Sequence, residues 1–198
     1  GDTLRITVQL VSTGDGCHLW SERYDREVKD VFAIQEGIAA NIARALQVVL
    51  REKERQAITR TQPSDIAAYD FYLRGRQFLH ERRKKSLAFA GEMFTRAIQR
   101  DPNFARAHAG IAEAIALLHH FFPREDHPGD LEQADAASLK ALELDPDLPD
   151  AHATRGFVLW LLNRFPEAEA EFQRAIAMDP NHFEARYLYG RACFQRGD

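Results

Sequence analysis

The period of the apolar positions changes near residue 30. In LRITVQLV (4–11), Leu4, Ile6, Val8 and Leu10 alternate with Arg5, Thr7 and Gln9, the pattern of a half-buried strand. Turn chemistry follows in STGDG (12–16). The next stretch, CHLWSERYDRE (17–27), predicts a second strand with Trp20 and Tyr24 on one side. From Asp30, a residue suited to capping, the spacing turns helical toward Gln56. Its stripe is Val31, Ile34, Ile38, Ile42, Ala45, Leu46 and Val49.

Beyond residue 64 the pattern repeats. RAIQRDPNFARAHAG (96–110), LKALELDPDLPDAHAT (139–154) and RAIAMDPNHFEARYL (174–188) each close an Ala-rich helical run at Asp-Pro and open another. The residue before proline avoids the α region, so each earlier helix stops there. Ala90, Phe94 and Ala97 stand 12, 8 and 5 positions before Pro102. Ala168, Phe172 and Ala175 hold the same offsets before Pro180, and Ala134, Ser138 and Ala141 before Pro146. Spacings of four and three put each trio on one helical stripe, with Ser138 the weak member. Ala112, Gly156 and Gly190 fall ten positions past their prolines, where an antiparallel helix would cross. Pro146 to Pro180 spans 34 residues; Pro102 to Pro146 spans 44.

This period, with small, aromatic, small and Pro at fixed offsets, resembles the tetratricopeptide repeat over residues 64–198. The resemblance implies a mainly α fold, a right-handed α-α superhelix built of three repeats plus a terminal helix. Repeats one (67–102) and two (105–146) are expected to have lengthened turns between their helices. Repeat three (149–180) departs from the family at Arg155, in place of an apolar residue, so that face is expected to be partly wetted. The last helix carries Tyr187, Tyr189, Cys193 and Phe194 with no polar cap, which points to further repeats or to self-association through this end. Residues 1–57, a β-hairpin plus a long helix, resemble the C-terminal end of the TolB-like α/β domain that precedes such repeats in bacterial regulators. In those proteins a nucleotide-cyclase or winged-helix domain lies upstream. The 4–11 strand is expected to seek a partner, such as the same strand of a second copy.

Composition narrows the function classes. The chain has 198 residues, 45% hydrophobic and 28% charged, with a net charge of −4 and mixed signs, so no field for nucleic acid or anionic lipid is expected. Cys17 and Cys193 form no CxxC, which favours a reducing cytoplasm over a disulfide framework. The longest strongly apolar run, 157–162, is too short to span a bilayer.

Chemistry-bearing clusters are few. In HHFFPREDHPGD (119–130), His119, His120, Asp126 and His127 could meet a zinc ion, yet the spacing lacks HxxxH or a cysteine. A solvated turn packed by Phe121 and Phe122 explains it better. The GDG at 14–16 is not followed by a helix or a Lys-Ser/Thr, so it is not a phosphate loop. ERRKK (81–85) fits a solvated inter-helix turn. His108 and His152 recur at one repeat position, which indicates packing. No nucleophile, base and oxyanion set assembles, so no enzymatic activity and no cofactor or metal is expected.

What remains is a protein-binding surface. Tetratricopeptide repeats line a concave groove with the first helix of each unit and receive partner segments there. Matching positions give Arg106, Ala109 and Glu113 in repeat two, and Asp150, Ala153, Phe157 and Trp160 in repeat three. The last helix adds Glu184, Tyr187, Arg191 and Phe194. The Lys and Asn set with which some members clamp a carboxylate terminus is missing, and an aromatic groove edged by Arg106, Arg191, Asp150 and Glu184 suits a mixed apolar and charged segment. Two functions are therefore expected: an interaction module of a bacterial regulatory protein, or the regulatory portion of a nucleotide (adenylate) cyclase or winged-helix regulator.

Overall fold

The structure is a computed structural model that describes residues 3–27, 31–46, 64–123 and 129–196. The chain forms two compact units, 1–62 and 63–198. In the first, β1 (Thr3–Val11) pairs antiparallel with β2 (His18–Glu27) along its length, from Thr3↔Glu27 to Leu10↔Trp20, with an irregularity at Val11. The turn closes through the Ser12 N–H on the Cys17 carbonyl at 2.8 Å, with Gly16 at φ +70°. Period two holds as read: Leu4, Ile6, Val8 and Leu10 are half-buried and their neighbours exposed. Helix α1 (Val31–Ala45) packs on β2 and buries Ile34. Asn41 Nδ2 donates to Glu22 Oε2 (2.6 Å) and to the Tyr24 hydroxyl (3.0 Å), tying helix to strand. Leu46, assigned to the apolar stripe, is half exposed. The cap at Asp30 and the helix beyond Leu46, Val49 included, lie outside the described residues.

The second unit is a run of helical hairpins. Helices α2 (Ile66–His80) and α3 (Lys84–Arg100) form the first, α4 (Ala105–Phe121) and α5 (Asp130–Leu144) the second. Helices α6 (Pro149–Leu161) and α7 (Phe165–Met178) form the third, followed by α8 (Phe183–Arg196). Each helix packs on the next in sequence, and first helices also touch across repeats: α2 on α4, α4 on α6, α6 on α8. A helical solenoid follows, with the first helices forming one continuous wall.

The Asp-Pro punctuation repeats atom for atom. Asp101, Asp145 and Asp179 each accept at Oδ1 the N–H two residues on (3.1, 3.2 and 2.9 Å), an Asx turn that sets the chain's exit from the helix. Six residues past each proline a side chain bonds the proline carbonyl. His108 Nε2 does so at 2.9 Å, His152 Nε2 at 2.8 Å and Arg186 Nε at 2.6 Å. The recurring histidines thus satisfy a backbone acceptor left over by the turn, which is a structural duty.

The turns correct the expectation for repeat one. Its helices are joined by 81–83, as short as 162–164 in repeat three, and both turns carry a left-handed middle residue, Arg82 (φ 49°) and Asn163 (φ 60°). The extra residues of repeat one lengthen its helices instead. Repeat two does have a longer connection, 122–129, but His119 and His120 belong to the last turn of α4. Phe121 is exposed and only Phe122 packs on the core. Asp126 and His127 lie outside the described residues, and no group of three potential ligands occurs among those described.

Arg155 gives a second correction. It is 6% exposed, not wetted, and its Nη1 donates to Ser138 Oγ (3.0 Å), to the Asp135 carbonyl (3.3 Å) and to Asp135 Oδ1. Ser138 occupies the place of Phe94 and Phe172, so the guanidinium fills the space an aromatic ring fills in the other repeats.

Candidate binding groove

The wall of first helices lines an open cleft of about 450 Å³, solvent-facing space included. Glu113 and Leu117 enter it from α4, Asp150, Thr154 and Phe157 from α6, Glu184 and Leu188 from α8. Arg76 from α2, Arg82 from the α2–α3 turn and His182 just before α8 complete the polar lining. Helical spacing explains the convergence: Arg76, Glu113 and Phe157 each follow the crossing position of their repeat (Gly75, Ala112, Gly156), so successive repeats present them on one face.

Opposite charges meet across the cavity. Arg76 Nη1 lies 3.3 Å from Glu113 Oε2, and Arg82 Nη2 lies 2.9 Å from Glu184 Oε1. His182 Nε2 stands 3.3 Å from Asp150 Oδ1, an ion-pair distance without hydrogen-bond alignment. Its Nδ1 accepts the Ala185 N–H at 3.2 Å, which caps α8 and leaves the proton of the neutral ring on Nε2, toward Asp150. Burial pushes the Glu113 carboxyl up; Arg76 offsets this, while Glu184 and Asp150 add to it. Burial also opposes the Asp150 charge, but His182, Arg76 and Arg106 together hold its pKa below the usual value. The Asp150 carboxylate raises His182.

The cavity brings together five of the eleven residues assigned to the groove from sequence, Glu113, Asp150, Ala153, Phe157 and Glu184. Phe157 is buried. Trp160 sits further along α6, stacked on Phe157 (centroids 6.1 Å, 18° between planes), with His120 edge-on to both, and borders a separate small opening with Phe165, Tyr189 and Cys193. Arg191 lies over the Tyr187 ring at 5.8 Å, and its Nη2 lies 3.0 Å from His120 Nε2. Phe194 is largely exposed and Arg106 holds a buried Nε without a hydrogen-bond partner. Ala109 packs in a cluster with Ala141, Leu148 and Ala151.

Six lining residues escaped the sequence reading: Leu117, Thr154 and Leu188, and the three basic residues Arg76, His182 and Arg82. Arg76 was legible, since it occupies the position of Glu113 one repeat earlier. His182 stands where repeats two and three bury Phe104 and Leu148, a polar exception to an apolar position that carries signal. Arg82 carried none, because only the fold brings a turn residue to a carboxylate 102 positions away.

Comparison with known proteins bears on this architecture. The tetratricopeptide repeat family model matches residues 154–198. A Thermus thermophilus tetratricopeptide-repeat protein, TTC0263, superposes with a TM-score of 0.58 at 21% identity, covering 85% of this chain and 83% of that one. The TPR2B domain of yeast Sti1, solved in complex with pHsp70, gives a TM-score of 0.52 at 22% identity over 67% of this chain and all of that one. The hairpins of the second unit therefore share the fold of stacked tetratricopeptide repeats, helical units that build a solenoid through their nearest neighbours, and residues 154–198 match that family's model. A Rhizobium meliloti (strain 1021) protein provisionally named adenylate cyclase 3 is 34% identical over 168 residues, 84% of this chain. The chain spans 28% of the length of that relative. Among the described residues no helix is long and apolar enough to cross a membrane.

Proposed function

We propose that the repeats are the interaction and assembly module of a bacterial cytoplasmic regulatory protein, binding a partner segment in the groove lined by Glu113, Asp150, Phe157 and Glu184. The observation that carries this reading is a cavity on the first-helix wall whose charged groups sit beside apolar side chains, the mixture a peptide segment needs for both affinity and register. Arg106, Tyr187, Arg191 and Phe194 extend the same surface toward its ends. A photo-crosslinking residue at position 184, on the groove rim, is expected to capture the partner, whereas one at the exposed position 139 on α5 is not. Capture from position 139 alone, or equally from both, overturns the groove assignment.

The relative named for a cyclase supports a second reading, in which the module regulates a nucleotide cyclase domain of the same polypeptide. Under it, residues 1–57 are the end of a TolB-like α/β domain that joins effector to repeats. Cyclase activity of the whole protein should then change when the groove carries Glu113→Gln, and a whole protein without nucleotide turnover removes this reading. Self-association through α8 or the free edge of β1 accompanies both readings; light scattering that stays monomeric at high concentration excludes it.

A further inference from the structure

Resting on the groove reading, we propose that the cavity between α4, α6 and α8 seats a basic side chain, arginine or lysine, carried by a partner segment with apolar residues beside it. Three successive first helices each send one carboxylate to its wall: Glu113, Asp150 and Glu184. Leu117, Phe157 and Leu188 supply apolar surface between them, along which the aliphatic stem of a long basic residue can lie.

The chain already holds one of its own guanidiniums at this place. Arg82 reaches from the α2–α3 turn to Glu184 at 2.9 Å, yet the two side chains remain 40% and 34% exposed. Such a wet pair contributes little and exchanges readily. An incoming guanidinium or ammonium takes Glu184 and releases Arg82 to water, so the exchange conserves charge at the rim. Deeper in, Glu113 has only a 3.3 Å contact with Arg76 and is crowded by Asp150 and Glu184. A cation among the three carboxylates relieves that crowding. An acidic ligand group would instead add a fourth negative charge, facing Arg76 and Arg82, which already have partners, and His182, which already stands against Asp150.

Titration of the 198-residue chain at low salt with acetyl-Leu-Arg-Leu-amide, followed by amide chemical shifts, tests this against acetyl-Leu-Glu-Leu-amide. The arginine peptide is expected to shift the amides of Glu113, Asp150 and Glu184 while the glutamate peptide leaves them in place. Glu184→Gln, a rim substitution that keeps the fold, should weaken the arginine peptide about tenfold through loss of a charge-assisted hydrogen bond. Arg82→Asn removes the internal competitor, and asparagine tolerates the left-handed turn as Asn163 does in repeat three, so binding should tighten about threefold. Silence with the arginine peptide, equal shifts with the glutamate peptide, or unchanged affinity in Glu184→Gln each overturns the proposal. If cross-linking from position 184 still captures a partner in those cases, the groove stands and its preference for a basic residue falls. If that capture also fails, both fall.

Discussion

Repeats one and two solve the same packing problem with different side chains. In repeat one, Phe94 is fully buried against two glycines; a Cβ added at Gly75 or Gly110 would sit 2.6 or 2.7 Å from its ring. Repeat three uses Phe172 against Gly156 in the same way. Repeat two has Ser138 at the ring's position and Ala112 where Gly75 and Gly156 stand, and Arg155 of the next repeat closes the gap. The first arrangement is apolar and local to a hairpin and its neighbour. The second is polar and ties repeat two to repeat three, because the filler comes from the following helix. A solenoid stabilised through nearest-neighbour interfaces can place its filler on either side of the junction.

The largest effect that breaks this comparison comes from the ring. Phe94→Ala leaves a cavity between three backbones that cannot close up, and should cost about 3–5 kcal/mol in denaturant unfolding. A loss below about 1 kcal/mol would show that the glycines collapse into the space.

Arg155 comes next. Arg155→Ala removes the filler and its hydrogen bonds to Ser138 and Asp135, and should cost about 2–3 kcal/mol. Arg155→Met keeps most of the stem, and Asp135, still 27% exposed, can turn to water, so about 1 kcal/mol is expected. Equal losses for the two variants would assign the role to hydrogen bonding rather than to filling.

The same contrast explains what the sequence could reveal. Small residues around an aromatic at fixed offsets are a local signal, and the stripes Ala90, Phe94, Ala97 and Ala168, Phe172, Ala175 are buried as read. The period-two strand and the Asp-Pro helix ends are equally local and equally legible. Arg155 was misjudged because its partners, Asp135 and Ser138, lie 20 and 17 residues upstream on another helix, and charge alone suggested solvent. The turn of repeat one was misjudged because extra residues can enter a helix as easily as a loop. In the groove, Glu113, Asp150 and Glu184 followed from repeat position, while Arg82 depended on the path of the superhelix and had no local signature.

The smallest effect sharpens the comparison at the repeat three junction, where a titrating group takes the linking role. His152 is buried, with Nδ1 2.5 Å from Glu171 Oε2 and Nε2 2.8 Å from the Pro146 carbonyl. Both neighbours accept, so both ring nitrogens must donate, and that is the imidazolium. Burial opposes the charge, but the Glu171 and Pro146 hydrogen bonds outweigh it and raise the pKa above its ordinary value; Arg174 opposes weakly. A raised folded-state pKa means the stabilisation is complete below the unfolded value of about 6.5 and disappears as pH climbs through the folded one. Glu171 is held below the ordinary carboxylate range despite burial, by the His152 hydrogen bond, so the same contact fails at acid pH only when Glu171 protonates. The melting-temperature difference between the natural chain and His152→Gln should therefore be largest in mildly acidic solution and shrink toward alkaline pH. A difference for His152→Gln that is flat across this range would mean that the ring is neutral in the fold and that one of its two contacts is not a donated hydrogen bond.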